Sequence, residues 1–194
     1  MGYYALYVHN LAARITPSPI RTAEAPRLLV LQAPLLRRAQ LVDVLQLCAL
    51  VNGYAVEKLM LPRTTEQIAL EQDNYIVAVD AGGRVMACAA LYEYSPSVAE
   101  IASVAVDREY QGRGLGTDVV RAAEQVARLR GFERVFAMSL AIGFFESLGY
   151  SDTPLDTYPE KVNRYEELEA AGVQIVPKRC FEKTIGERAE LSAG

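Results

Sequence analysis

The sequence has a single histidine, His9, no tryptophan and only three cysteines in 194 residues. Each scarcity closes off chemistry. A Ser-His-Asp or Cys-His mechanism needs a histidine held in a core, and His9 lies in a stretch that reads as a tail. Cys48, Cys88 and Cys180 stand far apart with no C-x-x-C, so no metal site is expected. They read as small buried apolar residues in a reducing cytoplasm. No apolar run approaches the roughly 20 residues of a membrane helix, and no secretory signal pattern opens the chain. Basic charge is not in excess: 20 Lys and Arg face 24 Asp and Glu, for a net charge of −4, which ranks nucleic-acid binding low. What is present is ordinary globular composition. With 51% hydrophobic and 23% charged residues, the chain can bury one sizeable core.

Residues 1–27 differ from the rest. They hold Pro17, Pro19 and Pro26, three of the nine prolines, and no long periodic pattern. They read as an extension, mobile or docked on a partner, and the apolar Tyr3, Tyr4, Leu6, Tyr7 and Val8 leave a homodimer through this arm open. Residues 28–194 read as the folded domain. After Leu35-Leu36-Arg37-Arg38, the spacing of Leu41, Val44, Leu45, Cys48 and Val51 predicts one helix face, with Asn52-Gly53 as its stop. Pro62 to Glu66 restarts a helix capped by Thr64 or Thr65, with Ile68 and Leu70 inside it. A meander follows: a strand at Tyr75–Val79, a turn at Asp80–Gly83, a return from Arg84 to Leu91, a turn at Ser95–Ser97, and a strand from Ala99 to Val106.

Gly114 to Arg130 then carries Leu115, Val119, Ala122, Val126 and Leu129 at helical spacing, and Gly131 ends the run. Arg134–Met138 reads as a strand, Ile142–Leu148 as a short helix stopped by Gly149, and Pro159–Ala171 as a helix stopped by Gly172. Val173–Val176 and Lys178–Lys183 read as two last strands. The acidic Tyr165-Glu166-Glu167-Leu168-Glu169 reads as a solvated helix face. The fold class is α/β, with a mixed, mostly antiparallel sheet flanked by helices.

The segment richest in chemistry is Gln111-Gly112-Arg113-Gly114-Leu115-Gly116-Thr117, between a strand and the best helix. Its glycines let a ligand approach the backbone, and the helix start offers unpaired N–H groups and a positive dipole end. Together they suit phosphates. No lysine follows in P-loop spacing, and the third position of a dinucleotide fingerprint falls on Thr117, so neither nucleotide motif fits.

Here the residues resemble a family. Gln111-x-x-Gly114-x-Gly116 opening a helix, with Phe144-Phe145-Glu146-Ser147-Leu148-Gly149-Tyr150 further on, is similar to the GNAT superfamily of N-acetyltransferases. Within it, Asn52-Gly53-Tyr54-Ala55, Leu59 to Thr64, Ala99 to Val106, Phe136 to Ser139 and Gly143 to Glu146 resemble the acetyltransferase domains of amino-acid N-acetyltransferases, the N-acetylglutamate synthases. The resemblance implies acetyl-coenzyme A as co-substrate and no metal. The backbone of Val104, Ala105 and Val106, beside a bulge, would meet its pantetheine arm and thioester. Amides from Gly112 through Arg113, Gly114, Leu115 and Gly116 to Thr117, with Gln111 beside them, would hold the pyrophosphate, and Arg113 would add charge. Phe145 would flank the cofactor, where many members carry tyrosine.

The same resemblance places Glu100 as general base for an attacking amine. It makes Arg63, Lys178 and Arg179 ligands for the carboxylates of a small acidic amino acid, which the resemblance names as glutamate, in arginine biosynthesis. Two other readings stay open: transfer to another small amine or a protein N-terminus, and a coenzyme A-binding sensor without turnover.

Overall fold

The computed structural model describes residues 33–186. The extension expected over residues 1–27 lies outside them. Seven strands form one sheet: β1 (Leu35–Arg38), β2 (Tyr75–Val79), β3 (Val85–Ser95), β4 (Val98–Val106), β5 (Arg134–Ser139), β6 (Ser151–Thr153) and β7 (Arg179–Thr184). Their order is β1-β2-β3-β4-β5-β7-β6. β4 and β5 run parallel and the other neighbours antiparallel, as the mixed, mostly antiparallel expectation has it. Five α-helices accompany the described strands: α1 (Val44–Ala55), α2 (Thr65–Leu70), α3 (Leu115–Leu129), α4 (Ile142–Ser147) and α5 (Pro159–Ala170).

Alternation along the strands sorts side chains onto two faces. On one face Ala87, Ala89, Leu91, Ala99, Ile101, Val135 and Ala137 pack against α3 and Phe145 of α4. On the other, Tyr75, Val77, Cys88 and Ala90 pack against Val44, Leu47 and Val51 of α1 and Ile68 of α2. Further across that second face, Phe136 and Cys180 meet Tyr158, the residue that precedes α5. β4 lies between these two covers, and Glu100 is paired in register with Tyr92 of β3 and Phe136 of β5.

Several local expectations hold for their stated reasons. Thr64 caps α2, accepting from Gln67 N–H at 3.2 Å while the Gln67 side chain accepts from Thr64 N–H at 2.9 Å. Gly131 adopts φ +85°, the left-handed position that closes α3.

Others are corrected. Asn52-Gly53 does not stop α1, which runs on to Ala55. The left-handed residue that closes it is Lys58, at φ +61°, and Leu59 N–H reaches back to Tyr54 C=O at 3.1 Å. Leu41 and Leu45 are 68% and 72% exposed, because α1 turns Val44, Leu47 and Val51 inward instead. In α3 the buried stripe is rotated to Val119, Val120, Ala123 and Ala127, leaving Leu129 80% exposed. The alanines of α3 face the alanines of β3 and β4, so the helix packs close on its smallest residues. Val173–Val176 forms no strand, and Lys178 precedes β7 rather than lying in it. β1 and β6 were not anticipated. Each is only 4 and 3 residues long respectively, too short to show a period.

Candidate active site

The sheet opens where β4 and β5 part. Their parallel pairing covers only Val98–Glu100 against Arg134–Phe136. Just beyond, Cys88 pairs with Ala105 and Ala90 with Ala102, so β4 carries one residue more than β3 over this stretch. Ser103 absorbs it at φ +51°, a left-handed conformation rare for a residue with a side chain. This is a bulge of the kind the family resemblance implies, and it lies on the part of β4 that has already left β5.

A cavity of about 120 Å³ occupies the opening. Its wall includes Glu100, Ser103 and Val104 from β4, Met138 and Ser139 from β5, Phe145 from α4, and Arg63. Lys161 and Tyr165 of α5 and Lys178 complete the polar part. Glu100 Oε1 accepts a hydrogen bond from Lys161 Nζ at 2.6 Å, and the two side chains are only 13% and 18% exposed. Burial first, then the neighbouring Lys161, pulls the Lys178 ammonium below the ordinary lysine range, against the pull of Glu100. Burial pushes the Tyr165 phenol above its ordinary range, and the Glu100 charge adds to the rise. Three cations thus line the cavity with one carboxylate.

Arg63 reaches this wall through backbone held from α1. Asn52 Nδ2 donates to Arg63 C=O at 2.8 Å, and Asn52 Oδ1 accepts from Arg63 N–H at 2.9 Å. Its guanidinium lies 5.8 Å from the centre of the Tyr92 ring and 3.8 Å from Glu71. The Tyr92 hydroxyl donates to Glu71 at 2.7 Å.

The glycine-rich segment follows β4 after a 3-10 turn at Arg108–Tyr110. Gly112 and Gly114 adopt φ +73° and +85°, and a Cβ on either would meet nothing within 4 Å. Their glycines therefore serve backbone shape. Gly116 differs: a Cβ there would stand 3.4 Å from the Phe144 ring and 3.5 Å from Val106. The first intrahelical bond of α3 is Asp118 N–H to Gly114 C=O at 3.0 Å. Helix geometry leaves the amides of Leu115, Gly116 and Thr117 without a carbonyl one turn back, as an anion site requires. Leu115 buries its side chain in the core, so it can offer only its backbone.

Side chains secure this end of β4. Tyr54 O–H donates to Val106 C=O, and Gln111 Nε2 donates to the Tyr54 hydroxyl at 2.7 Å. Val106 thus spends its carbonyl on Tyr54. Arg113 folds back, donating to Glu109 C=O at 3.1 Å with its guanidinium 5.1 Å from the Tyr110 ring centre.

The fold brings Glu100, Val104, Phe145, Arg63 and Lys178 to one cavity. It does not bring Arg179, whose guanidinium meets Asp152 through two contacts of 2.9 Å. Neighbouring residues of an extended chain point to opposite sides, which parts Arg179 from Lys178. Phe145 is 3% exposed and stacks on Phe181 at 5.7 Å, with one edge on the cavity. Lys161 and Tyr165 were missed. Tyr165 opens the acidic segment that reads as a solvated face, and only the i, i+4 spacing of Lys161 and Tyr165 beside Val162 and Leu168 signals a shared inward side.

Comparison with known proteins places this geometry. The family model described as acetyltransferase (GNAT) family matches residues 41–150. An uncharacterized N-acetyltransferase of Chlorobaculum tepidum is 36% identical over 128 residues, 66% of this chain and 82% of that protein. An amino-acid acetyltransferase of Mycobacterium tuberculosis is 31% identical over 137 residues, 70% of this chain and 77% of its own length. Other amino-acid acetyltransferases are longer, and the chain spans only 33% of the one from Mannheimia succiniciproducens. Among solved structures, Rv2747 from Mycobacterium tuberculosis in complex with CoA and NLQ aligns with a TM-score of 0.69 at 27% identity, covering 78% of this chain and 99% of that one. A bulged β4 parting from β5, an open glycine turn into α3 and a family match across more than half the chain agree, and this protein belongs to the acetyltransferase (GNAT) family.

Proposed function

We propose that this N-acetyltransferase moves an acetyl group from acetyl-coenzyme A to the α-amine of an acidic amino acid, glutamate first among them, as a cytoplasmic step of arginine biosynthesis. The observation that carries the reading is the charge of the cavity: Arg63, Lys161 and Lys178 face a single carboxylate, Glu100. Lys161 is matched by Glu100 and Arg63 only loosely by Glu71 at 3.8 Å, while Lys178 makes no ion pair among the described residues, so Arg63 and Lys178 suit the carboxylates of an acidic acceptor. The Mycobacterium tuberculosis relative named amino-acid acetyltransferase supports the class of acceptor.

The residues of this chain fit the co-substrate. Gly112 and Gly114 leave open space before the free amides of α3, where phosphate oxygens would be held. When bound, acetyl-coenzyme A supplies the acyl carbon and a thiolate leaving group. Glu100 takes the proton of the acceptor's ammonium, freeing the nitrogen lone pair for attack. Backbone N–H groups of β4 around Val104 stabilise negative charge on the carbonyl oxygen. Arg63 and Lys178 hold carboxylates and orient the amine.

Release of free thiol from acetyl-coenzyme A, measured across a panel of amino acids, tests the proposal. Turnover with glutamate or aspartate, at least a hundredfold down in Glu100→Gln, is the expected result. Turnover confined to neutral or basic amines would overturn the choice of acceptor. Tight coenzyme A binding with no turnover on any amine would overturn the catalytic reading.

A further inference from the structure

α5 lies outside residues 41–150, yet it supplies Lys161 and Tyr165 to the cavity. Its start is tied to the sheet from two sides. The Tyr158 ring stacks on Phe136 with centroids 3.8 Å apart, and the Tyr94 hydroxyl binds the Glu160 carboxylate and accepts from Glu160 N–H at 3.2 Å. Lys161 comes next, and this anchoring delivers its ammonium to Glu100.

The position of Lys161 is informative in a second way. A groove of about 290 Å³ adjoins the cavity, and the two share Leu61, Arg63, Lys161 and Tyr165 in their walls. The groove adds Arg164 and Gln67 and has no acidic side chain in its own lining, although Arg164 pairs with Glu167 at 3.2 Å and Arg63 lies 3.8 Å from Glu71 just outside it. Lys161 therefore stands between a basic approach and the one carboxylate inside. A sheltered ion pair of this kind gains little for stability, because desolvation of both charges offsets their attraction. Its place between groove and cavity gives it another use.

We propose that Lys161 is a positioning residue that exchanges partners when the acceptor enters, a role that rests on the acidic-acceptor reading above. Lys161 Nζ holds the place on Glu100 that the acceptor's ammonium must take. An acidic amino acid carries both halves of the exchange. Its ammonium replaces Lys161 on Glu100, and Lys161 turns to a carboxylate of the acceptor. One ion pair becomes two, and no charge is left buried without a partner. An acceptor with an ammonium but no carboxylate can displace Lys161 yet offers it no new partner, so the same lysine disfavours it. The flexible four-carbon stem of lysine suits such a swing. The titratable and charged groups that face Glu100 from the surrounding elements are Lys161 and Tyr165 on α5, Lys178 before β7, Cys180 on β7, Tyr92 across the strand pair and Arg63 on the cavity wall.

Steady-state acetyl transfer by Lys161→Met, with glutamate and with its diamide, which keeps the α-amine but lacks both carboxylates, tests the exchange. KM for glutamate should rise about tenfold or more, the worth of one charge-assisted contact, with kcat within a few-fold. KM for the diamide should fall or hold, so the preference between the two acceptors collapses. Lys161→Arg should keep the preference. If Lys161→Met folds poorly by thermal melting, Lys161→Gln replaces it. Equal loss of activity on both acceptors, with the preference intact, would make Lys161 a structural prop and overturn the proposal alone. A wild-type enzyme that ignores glutamate and aspartate while acetylating other amines would overturn this proposal and the acceptor reading together.

Discussion

Replacing Asn52 by alanine removes two hydrogen bonds to one residue, the backbone N–H and C=O of Arg63 at 2.9 and 2.8 Å. Each is worth about 1 kcal/mol net, and both Arg63 groups are left to find water in a partly buried place. The expected loss is about 2 kcal/mol, roughly thirtyfold in the folding equilibrium. For a chain of this size it lowers the melting temperature by about 4–8 °C. The same change frees the segment that brings the Arg63 guanidinium to the cavity, so KM for an acidic acceptor should rise about tenfold. Asn52→Asp should fare no better, because it sets a carboxylate oxygen against the Arg63 carbonyl. Urea denaturation reads the first effect and steady-state kinetics the second. A variant that melts within 1 °C of wild type, with KM unchanged, would refute the claim that Asn52 holds Arg63 in place.

Three further outcomes follow from other parts of the fold. Gly114→Ala pays only for backbone, since φ is +85° and no atom lies near the new Cβ, at about 1 kcal/mol. The shifted entry to α3 should weaken coenzyme A binding about tenfold by calorimetry, and unchanged affinity would detach the α3 start from the phosphates. Lys183→Met leaves the 3% exposed Glu124 without its contacts of 2.9 and 3.0 Å and with Arg128 alone at 3.4 Å, and should cost about 3 kcal/mol in urea. Adding Glu124→Leu should recover most of it. For Asp43, the hydrogen bonds from Arg37 above all, joined by the Gln40 N–H and opposed by burial, hold the carboxyl below its usual 3.8. A carboxyl lowered in the folded state stabilises it above that value and stops doing so as pH falls through the lower folded one. Asp43→Asn should therefore melt below wild type at pH 7, with the gap closing below about pH 4, and a gap that persists in acid would refute the assignment.

Much of this protein is legible in its residue order because the relevant forces are local. The strand at Tyr75–Val79, the hairpin turn at Asp80–Gly83 and the helix that Gly131 ends follow from periodicity and from the backbone freedom of glycine over a few neighbours. The glycine turn before α3 is local in the same sense. The cavity wall is not, because it depends on register and on which element covers which strand. Nothing in Ala99–Val106 marks Ser103 as the bulged residue, since the extra residue exists only relative to β3. Asn52 reads as a helix stop until the fold brings Arg63 beside it. Lys178 and Arg179 look alike in the chain, and the pairing of Arg179 with Asp152 sends one outward while the other lines the cavity. Lys161 belongs to a helix whose sequence looks solvated. The stacking of Tyr158 on Phe136 of β5, well before it in the chain, turns it onto Glu100. Local periodicity can say that a side chain lies on a face, but long-range packing alone supplies what that face meets.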